Sequence, residues 1–178
     1  MLDKIKNKVA PQNIVDAFKA LYQEGRFDVI LSPKYSQLIK LYPNTPDLHN
    51  ILGAISFKRE NKIISKARSV ETNLTFFKNK FIPPLDNAII TGVYGSQRIL
   101  NGKPRRPHYG IDFHAPEGTP VKAMMDGEVT LAQNNMYFTG GTIIFDHGHG
   151  ISTLYMHMKD IDVKVGEKVR QGQIVGRL

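Results

Sequence analysis

The chain has 178 residues, 41% of them hydrophobic and 22% charged, which suits one packed domain of ordinary size or one with a small appendage. There is no cysteine, so disulfide scaffolds, zinc ribbons, iron–sulfur clusters and thiol nucleophiles are excluded, and any metal must be held by histidine and carboxylate. No stretch approaches roughly eighteen consecutive apolar residues, so no transmembrane helix is encoded, and the opening MLDKIKNKVAPQN lacks the apolar run of a secretory signal.

The net charge of +8 is unevenly placed. Residues 1–80 hold 14 Lys and Arg against 7 Asp and Glu, and residues 81–178 hold 10 against 9. A basic N-terminal part fits a solvated lysine-rich surface or attraction to a polyanion. No basic motif interleaved with aromatics points to nucleic acid, and none is expected as a partner.

The first 80 residues read as helical. Ile14, Ala17, Phe18 and Leu21 recur at helical spacing, and Gly25 stops that run. A second run starts near Phe27 and holds Ile30, Leu31, Leu38, Ile39 and Leu41, with Pro33 imposing a kink or a late start. Pro43-Asn44-Thr45-Pro46 is turn chemistry. A third run carries Leu48, Ile51, Leu52, Ile55 and Phe57, and a weaker fourth covers Ile63 to about Phe77.

Character changes at Phe81-Ile82-Pro83-Pro84, which we take as the boundary between a helical segment, 1–80, and a β domain, 81–178. Short β-rich runs then alternate with Gly and Pro turns: 89–91, 110–113, 120–123, 127–133, 141–146, 151–157 and 174 onward, with glycines at hairpin spacing in 163–173. The fold class is α+β, helical hairpins followed by a mainly antiparallel sheet.

The chemistry-bearing residues lie between Pro107 and His157. His108 and Asp112 are four apart. In an extended strand their Cα atoms would be about 13 Å apart, at roughly 3.3 Å per residue, too far to share an ion. They converge only if the chain bends, and Gly110 between them permits it. An imidazole with a carboxylate suits Zn2+. His114 follows on the same strand face, His147 and His149 flank Gly148 in a tight turn, and His49 sits in the helical part. These four read more simply as surface or hydrogen-bonded histidines.

The stretches HYGIDFHAPEGTPVKAMMDGEV (108–129) and GGTIIFDHGHGISTLYMHMKDIDVKVGEKVRQGQIVG (140–176) resemble the lysostaphin-type, or LytM-type, zinc metallopeptidases, which are peptidoglycan endopeptidases. The resemblance runs from about Pro84 to the last residue, and several separate motifs fall in family order. It implies the peptidase fold, with His108 and Asp112 of the His-x-x-x-Asp motif as zinc ligands. Tyr155 and His157 match the family's Tyr-x-His, which implies a catalytic role for His157 beside the metal. Gly118-Thr119-Pro120-Val121 matches the Gly-x-Pro-Val turn. The family's third ligand comes from a His-x-His a few tens of residues after Tyr-x-His, and no such motif follows His157 before Leu178. The resemblance therefore implies a peptidase domain cut short before its third ligand and doubtful activity for residues 1–178. It would also leave strand 174–175 as an unpaired apolar edge.

The implied substrate is a cross-link or stem peptide of bacterial cell wall, with Tyr137 and Tyr155 as candidate substrate contacts, and the implied location is the periplasm or cell envelope. Segments ALYQEGRFD and YPNTPDLHNILGAISFKREN resemble tetratricopeptide repeats over perhaps one and a half copies, implying a protein partner for the helical arm. Two other readings remain: a non-catalytic module that binds and activates other wall hydrolases, and a carrier domain modified at Lys159 in Met158-Lys159-Asp160.

Overall fold

The computed structural model describes residues 8–178, so the basic opening of the sequence, residues 1–7, lies outside the described residues. The chain divides into two compact units, one ending at Ile63 and the other starting at Ile64. The sequence boundary at Phe81 thus falls inside the second unit.

In the first unit, helix α1 spans Gln12–Gln23 and buries Val15 and Phe18, with Ile14 and Leu21 packed beside them. Ile14, Phe18 and Leu21 follow the spacing read in the sequence, but Ala17 is exposed and Val15, outside that reading, is buried in its place. Gly25, at φ +72°, turns the chain out of the helix. Helix α2 is a single turn, Phe27–Ile30, and helix α3 runs Pro33–Leu41. Pro33 sits in the first turn of α3, where its missing N–H leaves no bond unmade, so it starts this helix. Phe18, Ile30, Leu48 and Ile55 form the centre of the core. His49 Nε2 donates to the Pro43 carbonyl at 2.9 Å, a structural histidine of the turn.

Helix α4 spans Pro46–Arg68, 23 residues without a break. The third and fourth apolar runs therefore form one long helix and not a hairpin pair, which departs from the repeat pattern read in the sequence. Beyond Arg68 the fourth run holds only a 3-10 turn at Phe76–Lys78. Among the described residues no helix is long and apolar enough to cross a membrane.

The second unit is antiparallel throughout. Its strands are β1 Ile89–Gly92, β2 Ile99–Leu100, β3 Lys103–Pro104, β4 Asp112–His114, β5 Pro120–Lys122, β6 Gly127–Met136, β7 Gly140–Gly148, β8 Ile151–Met158, β9 Asp160–Ile161, β10 Lys168–Val169 and β11 Ile174–Arg177. They form a four-stranded sheet β10-β6-β7-β8, a three-stranded sheet β5-β11-β9, and the pairs β1-β4 and β2-β3. Seven of these strands coincide with the runs read in the sequence. The β2-β3 hairpin and β9 were not foreseen.

Strand β11 pairs with β5 on one side and β9 on the other, so it is the central strand of its sheet and not an exposed edge. The expected aggregation hazard at 174–175 is thereby corrected, and Val175 is fully buried.

The core lies around β7, whose residues from Gly141 to Gly148 are buried without interruption, whereas β6 alternates along its first half. Ile143 and Phe145 point into a cluster with Val121, Val129, Tyr155 and Val175. The segment before the first strand is tied onto the β7-β8 turn. Thr72 Oγ1 donates to Asp146 Oδ2 at 2.5 Å, and the His149 N–H donates to the Thr72 carbonyl at 2.8 Å. Gly148 is at φ +94°, and a Cβ there would fall 1.7 Å from the Leu74 carbonyl oxygen, so only glycine fits.

Candidate metal centre

His108 and Asp112 are brought together by a bend and not by a strand. Residues 107–111 are irregular, and β4 begins only at Asp112. The backbone of His108 is pinned twice, its N–H donating to Ser96 O at 2.9 Å and its carbonyl accepting from the Gly95 N–H at 2.7 Å. Gly110 lies between the pair, outside the left-handed region, and a Cβ there would meet His108 Nε2 at 3.4 Å. What Gly110 supplies is therefore open space beside that nitrogen.

His108 Nε2 lies 3.2 Å from Asp112 Oδ1. Two ligand atoms at about 2.0–2.2 Å from a tetrahedral ion lie about 3.3–3.6 Å apart, so the pair already has nearly the spacing of one edge of a zinc site. The other ring nitrogen, His108 Nδ1, is buried and makes no hydrogen bond. The lone pairs of the two ring nitrogens diverge, so Nδ1 takes no part in the spacing with Asp112, which rests on Nε2 alone. The residues present thus fit two positions of a zinc site. Among the described residues, no third histidine or carboxylate joins them in a group able to hold a metal ion.

Two residues that sequence reasoning missed shape this pair. Arg98 Nη2 donates to Asp112 Oδ2 at 3.0 Å, and both side chains are about half exposed. Gly92 stands opposite Asp112 in the β1-β4 register, and a Cβ on it would lie 2.6 Å from Oδ2. Nothing in the spacing of Gly92 or Arg98 relative to His108 marks either one. The signal lies in strand pairing.

His157 stands on β8 and is exposed. It has φ +62°, a left-handed backbone uncommon for a residue with a side chain. The β7-β8 register shifts there, with Gly141 opposite Met158 but Ile143 opposite Tyr155, so β8 carries an extra residue. Such a bulge re-aims a side chain out of the regular pleat. The His157 N–H donates to the Thr139 carbonyl at 2.8 Å, which ties the bulge to the β6-β7 turn. Tyr137 and Phe138 form that turn, half exposed, with their rings edge to face at 4.8 Å.

Tyr155 has a different job from the substrate contact expected of it. It is buried, its ring meets Phe145 edge-on at 5.3 Å, and its hydroxyl accepts from the Met124 N–H at 2.7 Å. Burial pushes its hydroxyl up to about 12. His147 is fully buried, with Nδ1 on the Asp126 carbonyl at 2.6 Å and Nε2 on Thr153 Oγ1 at 2.9 Å, so both nitrogens are used and neither can ligate. His149 packs edge-on against Phe77, and His114 is exposed on β4 opposite Ile89. Lys159 is the exposed bend residue between β8 and β9; it is ion-paired with Glu117, which raises its pKa, and its backbone N–H donates to the Arg177 carbonyl at 3.0 Å.

The match to known proteins falls on this same part of the chain. Residues 106–178 match the profile of peptidase family M23. A peptidoglycan DD-endopeptidase of Vibrio cholerae, ShyA, is 43% identical over 70 residues, which cover 39% of this chain and 16% of that protein. The M23 fold is also seen in a peptidase M23 structure from Pseudomonas aeruginosa, 26% identical with a TM-score of 0.55 over 67% of this chain and 47% of that one. A zinc-containing peptidase from Vibrio cholerae is 30% identical with a TM-score of 0.52, over 56% of this chain and 32% of that one. The chain thus spans about a sixth of that curated relative and less than half of each of these two solved proteins.

Proposed function

We propose that the M23 domain is a zinc-dependent endopeptidase of the bacterial cell envelope, acting on cross-links or stem peptides of peptidoglycan. The observation that carries the reading is the His108–Asp112 pair, set at ligand spacing with His108 Nε2 3.2 Å from Asp112 Oδ1. Its place inside the M23 match and the likeness to a peptidoglycan endopeptidase supply the substrate class.

His108 Nε2 and Asp112 Oδ1 would hold the ion. When bound, zinc supplies Lewis acidity toward a peptide carbonyl and lowers the pKa of water. The chain's own contribution is to orient and to move protons. Asp112 is held by Arg98, and His108 by its two backbone bonds. The His157 imidazole, lifted from the sheet on its bulge, is the candidate to carry a proton at the scissile amide. The Tyr137–Phe138 turn beside it offers a partly exposed apolar wall for a flexible peptide.

A catalytic zinc ordinarily takes three protein ligands and a water. With two from these residues, zinc uptake should be weak and hydrolysis slow. Zinc titration against a chelator tests the reading. Substituting Ala for His108 or Asp112 is expected to lower zinc affinity at least tenfold and to abolish any release of peptides from purified peptidoglycan. Zinc uptake indifferent to both substitutions overturns it. A second reading has the domain bind and activate another wall hydrolase, with the helical unit as a protein-binding arm. Faster muropeptide release by such a hydrolase on adding this chain, unaltered by His108→Ala, would select it.

A further inference from the structure

We infer that Arg98 is a positioning residue for the metal pair, fixing which oxygen of Asp112 faces His108. The inference rests on the zinc reading above and adds a residue to it. A carboxylate can turn about its Cβ–Cγ bond and present either oxygen. Here Oδ2 is taken by Arg98 Nη2 at 3.0 Å, and Oδ1 is the oxygen left 3.2 Å from His108 Nε2.

Arg98 is itself held in place. Its carbonyl accepts from the Arg105 N–H at 2.8 Å and from Gln97 Nε2 at 3.1 Å, and the same Gln97 amide donates to the Arg105 carbonyl at 2.6 Å. These bonds extend the β2-β3 hairpin toward the Ser96–His108 pairing, so one ladder sets both the guanidinium and the imidazole. On the other side, Gly92 leaves the space that Oδ2 occupies, because a Cβ there would come within 2.6 Å of it. The outer oxygen is thus confined between a guanidinium and a strand that has no side chain to displace it.

Two effects of opposite sign bear on a bound divalent cation. The positive charge of Arg98 repels the ion, so removing it should tighten zinc through charge alone. The hydrogen bond presets the ligand oxygen, and losing such an outer partner typically weakens metal binding by about 10–100-fold. Because Arg98 is half exposed and screened by water, the orienting effect wins, and the direction of the change in zinc affinity decides the matter.

The test is the zinc dissociation constant of the full chain by chelator competition, with cobalt(II) in place of zinc to report coordination through its visible absorption. Arg98→Ala is expected to weaken zinc about 10–100-fold and change the cobalt spectrum. Arg98→Gln, which keeps an N–H donor without the charge, is expected to recover part of the loss. Unchanged or tighter zinc in a folded Arg98→Ala chain overturns the inference. Should Arg98→Ala fail to fold, Gly92→Ala carries the test by pushing on the same oxygen: weaker zinc supports the inference and unchanged zinc overturns it. His108→Ala separates the two levels. If it too leaves zinc uptake unchanged, the metal reading falls; if it abolishes uptake while Arg98→Ala does not, Arg98 alone loses its role.

Discussion

The two halves of the β unit are built differently. Strands β6, β7 and β8 form a thick sheet whose central strand is buried along its length. The elements that carry His108 and Asp112 are thin: β1-β4 and β2-β3 are two-stranded, and Ile89, Ile90, Ile99 and Leu100 on them are more than half exposed. Apolar burial holds the first region. The second is held by backbone hydrogen bonds, one Arg98–Asp112 pair and two glycines that leave room. The comparison teaches that a His–Asp pair can be preset by polar contacts on lightly packed strands while the buried sheet supplies the stability.

The sharpest way to break this contrast is to remove Phe145, which is fully buried between Tyr155 and His147. Phe145→Ala is expected to destabilise the chain by about 3–5 kcal/mol, read as a lowered midpoint in urea unfolding. A loss under about 1 kcal/mol would mean that β7 is not the stabilising element.

A pH titration of stability sharpens the same point at Tyr155. Its pKa rises from the ordinary 10 to about 12 in the folded chain, chiefly because burial disfavours the phenolate. Below pH 10 the hydroxyl is protonated in both states and stability is unaffected. Between 10 and 12 the unfolded chain releases the proton and the folded chain keeps it, so stability falls as pH rises, by about 2–3 kcal/mol. In Tyr155→Phe that decline is expected to be absent, at the cost of an unpaired Met124 N–H at neutral pH. An equal decline in both chains would place its origin elsewhere.

The smallest effect belongs to the arm. Ile99→Ser, on the exposed face of the β2-β3 hairpin, is expected to change unfolding stability by no more than about 0.5 kcal/mol. A larger change would show that this hairpin contributes to the core after all.

Much of this plan is legible in the sequence because it is local. The apolar stripe of α1, the alternation along β6 and the four-residue spacing of His108 and Asp112 around Gly110 all lie within one element or turn. Long-range pairing is less legible. Arg98 meets Asp112 only because a short hairpin folds residues 98–105 back toward 108, and no periodicity announces a hairpin with two-residue strands. Strand β11 looked like an edge because its partners, β5 and β9, both precede it in the chain. The polar run Lys58-Arg59-Glu60-Asn61-Lys62 separates the third apolar run from the fourth. Lys, Arg and Glu are good helix formers, and with no glycine or proline to stop it α4 continues through them. The bulge that lifts His157 depends on register between two strands, which composition does not encode.

The contact of Leu74 with Gly148 has a practical consequence for dissecting the chain. A recombinant fragment begun at residue 81, where the composition shifts, would discard Thr72 and Leu74 and leave the Asp146 carboxylate and the glycine notch beneath them bare. A fragment begun at residue 64 keeps that clasp, and it is the piece to express when the β unit is wanted without most of the helical one.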